Sequence, residues 1–314
     1  MTNKNKISDG RYRLIIVLLF CVISYFEAEI LTGSTSIEGI ATYPLSAIEG
    51  LIFYGFQVAI IADISIRYKL GMGIVYLFGL IYGIMEEGFA LFTMEATSTH
   101  TLWFSYLGLN ITWTIYVMLF HAVITVCSTI LIVSVISKDK LDSPFLTAKS
   151  YIIMLPIIGV IYYTFIYGSL RAGRVPNIFS LLLLVFLVFM IALASIFIKR
   201  KYKQIKNFSF KKMWVVTILL WISGLSIPFI LGNRIPAIIV SVAIFLFLLI
   251  LYFYFFFCCI VDHYWKNARV LLNIYSSFNI ILLILGTFNR TFLSDIVAVI
   301  ALGLLIYLGW KKVL

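Results

Sequence analysis

The sequence predicts an all-α protein, a polytopic transmembrane helical bundle of about ten spans with both termini cytoplasmic. Three observations carry that expectation. The 314 residues are 63% hydrophobic and only 12% charged, too few charges to solvate a soluble domain of this size. The apolar residues fall into long continuous runs, most of them close to the ~20 residues that cross a roughly 30 Å hydrocarbon core as helix. Membrane strands would alternate apolar and polar positions instead. The basic residues, finally, collect in every second connection.

The ten runs are residues 13–31, 46–66, 70–94, 109–136, 151–170, 178–198, 213–231, 237–260, 270–287 and 293–310. Ahead of the first lie Lys4, Lys6, Arg11 and Arg13. The run lacks a small-residue cleavage site and reads as a retained helix rather than a removed signal peptide. Arg67 and Lys69 follow the second run, and Lys138, Lys140 and Lys149 the fourth. The sixth connection holds Lys199, Arg200, Lys201, Lys203, Lys206, Lys211 and Lys212. Lys266 and Arg269 come after the eighth run, and Lys311 and Lys312 at the end. Twenty of the 24 basic residues thus share one side, leaving Arg171, Arg174, Arg234 and Arg290 on the other. By the positive-inside rule the shared side is the cytoplasm. The net charge of +11 is then a topology signal with a contact to anionic lipid, not a nucleic-acid footprint.

Several function classes fall away. No connection exceeds about 20 residues, and no GxxxxGKS/T phosphate cradle occurs, so there is no room for a built-in ATPase. Cys21, Cys127, Cys258 and Cys259 all lie in apolar runs and read as small buried hydrophobes. Residues 101–108, with Trp103, Phe104 and Tyr106, read as an outer interfacial or re-entrant piece. Asn110-Ile-Thr112 and Asn289-Arg-Thr291 spell glycosylation acceptors. Asp63, four residues before Arg67, reads as a snorkelling or capping acid at the cytoplasmic edge.

Function is sought where charge is expensive. Residues 1–142 hold 11 of the 13 acids, dividing the chain into a polar-site-bearing half, 1–137, and a hydrophobic half, 138–314. Glu86 and Glu87 sit deep in the third run and His121 deep in the fourth. An ionisable group in hydrocarbon costs at least about 2.5–3.5 kcal/mol, so such groups mark functional sites by default. Counted at 1.5 Å per residue from the cytoplasmic anchors, Glu27, Glu29, Glu49, Glu86, Glu87 and His121 all fall about 21–27 Å up, in one outer slab. With Asn110 they make up the candidate proton- or cation-binding site. Two adjacent carboxylates in low dielectric do not both ionise cheaply, and histidine is the natural partner for proton exchange or cation ligation. Gly79, Gly83 and Glu87 share one helical ridge, where small residues admit a close neighbouring helix. Gly88 supplies backbone freedom just beyond the pair.

These residues resemble a family of uncharacterised prokaryotic multi-pass membrane proteins. The shared features run from Glu29 and Gly33-Ser34-Thr35, through Tyr54-Gly55, to Gly79, Tyr82-Gly83-Ile84, Glu86-Glu87-Gly88, Asn110, Trp113 and Phe120-His121-Ala122. A weaker resemblance is to the CAAX-protease-and-bacteriocin-processing (CPBP) intramembrane proteases, with their EExxxR, FxxxH and His/Asn motifs. It implies Glu86 and Glu87 as base and water activator and His121 as oxyanion helper, with His263 and Asn267 spelling the last motif. Leu91 stands at the arginine position and Val117 at the phenylalanine position.

Three readings follow. The first is a cation- or proton-coupled permease. The second is a glutamate/histidine intramembrane hydrolase, with Glu86, Glu87 and His121 catalytic. The third is a non-catalytic assembly or lipid-binding subunit. No cofactor is evident beyond a bound cation. The partners are the lipid bilayer and a small solute, lipid or peptide substrate, with no nucleic acid. The expected location is the cell membrane, as a multi-pass protein.

Overall fold

In a computed structural model, the chain is described over residues 4–96, 105–137, 141, 143–201 and isolated positions between 246 and 307. The four runs from 213 to 310 therefore lie outside the described segments, as does His263 with Asn267. The described chain is predominantly helical, and five of its helices are long and apolar enough to cross a membrane. They are Pro44–Arg67, Met72–Ala90, Ile111–Ile136, Ala148–Arg171 and Ile178–Phe197. The contacts group the chain into two compact units. One comprises residues 1–71, 124–161 and 264–314, and the other 72–123 and 162–263.

In the first unit, α1 (Lys4–Tyr25) packs along α3 (Pro44–Arg67), joined by the short α2 (Ile37–Thr42). Glycine permits this approach. A Cβ at Gly50 would stand 2.6 Å from the Tyr25 ring, and one at Gly55 would overlap the backbone and sulfur of Cys21. Cys21 and Cys127 are buried and unbridged, as their apolar surroundings imply. Helix α6 (Thr129–Ile136) also packs on α1. The α3 helix starts on Pro44, whose missing N–H costs nothing in a first turn. It stops at Lys69, which adopts the left-handed conformation (φ 51°) while Leu70 N–H bonds back to Ser65.

Of the two readings of Asp63, snorkelling or capping, the structure excludes snorkelling and shows the carboxylate accepting backbone N–H groups. It is fully buried. Its Oδ1 accepts the backbone N–H groups of Phe145 (2.6 Å) and Leu146 (2.8 Å). Its Oδ2 accepts Arg67 Nη2 (2.7 Å) and Nε (3.2 Å) together with the Tyr151 hydroxyl (2.8 Å). Arg67 also donates to the Leu146 carbonyl at 2.9 Å. One carboxylate thus fixes the end of α3, the strap 143–147 and the start of α7 (Ala148–Arg171).

In the second unit, α4 (Met72–Gly83) continues as a π-helical segment, Ile84–Ala90. A two-residue hairpin follows: β1 (Ser105–Tyr106) pairs antiparallel with β2 (Leu109–Asn110). The hairpin covers the described part of the segment read from sequence as an interfacial or re-entrant piece. Asn110 then caps α5 (Ile111–Phe120), its Oδ1 accepting Trp113 N–H at 3.1 Å. The side chain of Asn110 is wholly buried, which removes the glycosylation reading at that position. Helix α5 runs on as a π-helical segment, His121–Ser128, and α8 (Ile178–Lys201) packs against α4. Helices α7 and α8 keep Ile152, Val160, Leu182, Val185 and Phe189 exposed, as a lipid-facing surface does.

Two substitutions in the first unit test this packing. Gly55→Ala forces α1 and α3 apart and is expected to cost about 1–3 kcal/mol, as overpacking does. Asp63→Ala strands two backbone N–H groups and Arg67, for a larger loss of about 3–5 kcal/mol. Thermal unfolding in detergent reads both, and an unchanged midpoint for either contradicts the assigned contact.

Candidate functional site

The close contact of α4 with α5 builds the site. A Cβ on Gly79 would lie 2.6 Å from Ala122 Cα, and one on Gly83 3.2 Å from both Met118 Cα and His121 Cβ. The ridge read from the sequence therefore sets the backbone of one helix directly against that of the other. The same approach brings His121 over the turn that holds the two glutamates. Gly88 has a different role from the one expected. Its Cβ would lie 2.8 Å from Leu184 Cδ1 and 3.2 Å from Met94 Sδ, so it admits α8 rather than freeing the backbone.

Both parts of the site lie on widened helical turns. Leu91 N–H bonds to the Glu86 carbonyl at 2.9 Å, five residues back. Such a turn winds more residues per revolution, so successive side chains diverge less in direction than on an α-helix. That is how neighbours in sequence reach the same imidazole. Glu86 Oε2 stands 3.6 Å from His121 Nδ1, and Glu87 Oε1 3.5 Å from His121 Nε2. His121 and Glu86 are almost wholly buried (2% and 1% exposed), and Glu87 is half-buried. Tyr82 and Phe120 contact the imidazole edge-on, with centroids at 5.3 and 4.9 Å. One donor atom each from Glu86, Glu87 and His121 falls within 4.8 Å of the other two, the spacing of a group able to hold a metal ion.

Thr93 completes the arrangement. Phe92 adopts φ 51°, a left-handed conformation uncommon for a bulky residue, and turns the chain back over the helix end. Thr93 N–H then bonds to the Glu87 carbonyl at 2.9 Å, and the Thr93 hydroxyl donates to Glu87 Oε2. One oxygen of Glu87 is thereby held, and the other faces His121. Arg174 donates to the Leu91 carbonyl at 3.1 Å and lies within electrostatic reach of Glu87. Neither Thr93 nor Arg174 was legible as a site residue. The first depends on a backbone reversal and the second on a contact 83 residues away.

The remaining sequence candidates are described within their own units. Glu27, Glu29 and Glu49 belong to the first unit. Glu27 and Glu29 lie on a π-helical turn of their own, Phe26–Ile30. Glu29 accepts the Tyr54 hydroxyl and the Thr35 hydroxyl, each at 2.6 Å. Glu27 is buried, and Glu49 is exposed on α3. In the second unit, Asn110 acts as the cap of α5. Among the described residues, each of the three π-helical segments carries ionisable residues singled out from sequence: Glu27 and Glu29, Glu86 and Glu87, and His121. Such turns are frequent at functional sites. Glu49 lies instead on the α-helix α3.

Glu95 anchors the segment that follows the Met72–Ala90 helix to the connection before α8. It is 5% exposed and accepts the Ser180 hydroxyl and the Asn177 backbone N–H, while Arg174, on the same connection as Asn177, bonds Leu91. Burial raises its carboxyl above the ordinary value of 4.5, against the lowering effect of the two hydrogen bonds. The folded state therefore holds this proton more tightly than the unfolded state, and the associated stability fades as pH climbs from 4.5 through the folded value. Glu95→Gln is expected to remove that dependence. Unfolding midpoints of the two proteins compared between pH 4 and pH 7 should diverge, with wild type losing more on the way up. A pH-independent difference contradicts the burial effect.

A family model described as an uncharacterized membrane protein family matches residues 18–312, well beyond the 28–122 region that carries the sequence motifs. No curated protein and no solved structure matches the chain.

Proposed function

The chain belongs to that uncharacterized membrane protein family, and on this footing we propose that it is a permease-like protein in which Glu86, Glu87 and His121 bind the coupling cation or proton. One observation carries the reading: each nitrogen of a buried imidazole faces a different carboxylate, inside helices of membrane-crossing length. With both glutamates ionised and the histidine neutral, the group carries a charge of −2. Hydrocarbon does not tolerate that charge, so the group takes up positive charge from one side and releases it only where a replacement is available. Such a site converts occupancy into a preference for one conformation, which is what coupling requires.

The surroundings support exchange rather than a permanent lock. Glu87 is half-buried while Glu86 and His121 are closed off, giving the group a single more open flank. Thr93, the residue that orients Glu87, belongs to the connection beyond the helix end and not to the packed helix pair.

Electrometry on proteoliposomes tests the proposal. Wild-type protein challenged with a panel of cations and small solutes across an imposed pH gradient is expected to give transient currents. Glu87→Gln, which keeps shape and removes charge, is expected to abolish them while the protein still elutes as a folded species. Currents of the same size in Glu87→Gln, or none from wild type with any member of the panel, would remove the permease reading.

A further inference from the structure

We infer that the cation taken by Glu86, Glu87 and His121 is a divalent transition metal of the zinc or manganese class, an inference that rests on the cation-binding reading of the same residues. Three features of the site carry it: donor spacing, charge and the groups behind the donors.

Zinc bonds to imidazole nitrogen and carboxylate oxygen run about 2.0–2.2 Å, so the edge of a tetrahedral site is roughly 3.3–3.6 Å. With His121 Nε2 as the donor, its 3.5 Å distance to Glu87 Oε1 already matches such an edge, whereas Glu86 lies 3.6 Å from the other ring nitrogen, Nδ1, and is the ligand that has to turn toward the ion. The donors lie within 4.8 Å of one another, so closing to a tetrahedral edge asks for a shift of about 1 Å, which is within the reach of a carboxylate rotamer change. The backbone behind the donors is held by the contacts of Gly79 and Gly83 with Ala122, Met118 and His121. Two carboxylates and one imidazole make a three-donor set, leaving at least one coordination position for water or a transported ligand.

Charge separates divalent from monovalent ions. A divalent cation neutralises two ionised carboxylates outright, whereas a sodium or potassium ion leaves a net negative charge buried in the membrane helices. Donor type then separates the divalent ions. Magnesium and calcium take oxygen donors, while imidazole beside carboxylate suits zinc, manganese or iron.

The outer shell is also in place. Ligating carboxylates are hydrogen-bonded in turn, and the Thr93 hydroxyl holds Glu87 through the oxygen that faces away from His121.

The test uses the full-length protein in detergent, stripped with a chelator and dialysed against zinc chloride or manganese chloride. Metal per chain is read by mass spectrometry, and manganese environment by electron paramagnetic resonance. The expected result is about one retained ion per chain. Glu86→Gln, Glu87→Gln and His121→Gln should each lose it. Thr93→Val, which removes no ligand, should weaken affinity about 10–100-fold and so guards against variants that merely misfold. Equal retention by wild type and by the Glu86→Gln/Glu87→Gln double variant, or wild-type affinity in Thr93→Val, overturns the inference. The result is separable from the permease reading, because retention in detergent needs no transport. Coupled currents from a protein that retains neither metal would point to the proton as the coupling ion. Retention without currents would keep the site and remove the permease.

Discussion

The second unit depends on how closely two helices can approach. Gly79 and Gly83 remove the side chains that would hold α4 away from α5, so Ala122 and His121 lie against bare backbone. Lipid offers no hydrophobic gain for packing helix on helix, so small residues and polar contacts must supply the association. Here they do both at one place. Glycine brings the backbones together, and the approach delivers an imidazole between two carboxylates. A wider helix spacing would draw the imidazole away from both carboxylates.

The widened turns are the second element of the design. An α-helix would send Glu86 and Glu87 in directions about 100° apart, since 3.6 residues complete a turn. The turn that begins at Ile84 lets both meet one ring, and the one that begins at His121 sets the ring itself. The first unit repeats the device at Phe26–Ile30, where Glu29 is held by Tyr54 and Thr35. Its own fixed point is Asp63, whose carboxylate gathers α3, the strap and α7.

Much of this was legible in the sequence, and the rest was hidden for definite physical reasons. The membrane class and the described spans follow from apolar run length, which the bilayer dictates. The ridge of Gly79, Gly83 and Glu87 follows from helical periodicity, and the meeting of Glu86, Glu87 and His121 from their similar height. Height, however, carries no information about direction around a helix. It did not reveal that Glu29 bonds Tyr54 and Thr35 or that Glu49 is exposed on α3. Residue types do not announce an i to i+5 turn, so the π-helical segments were invisible. Asp63 looked like an edge acid because its partners at Phe145 and Leu146 are backbone N–H groups more than 80 residues away. Thr93 depends on the left-handed Phe92, and Asn110 in an Asn-x-Thr pattern proved to be a buried helix cap.

The central claim is that His121 is held between Glu86 and Glu87 as one charge-sharing group. Nitrogen NMR of the protein labelled at histidine, with His121 assigned from a His121→Gln spectrum, addresses it most directly. The account predicts that both ring nitrogens of His121 report carboxylate partners. Glu86→Gln should then shift mainly the Nδ1 resonance and Glu87→Gln mainly the Nε2 resonance. His121 resonances that ignore both substitutions would contradict it.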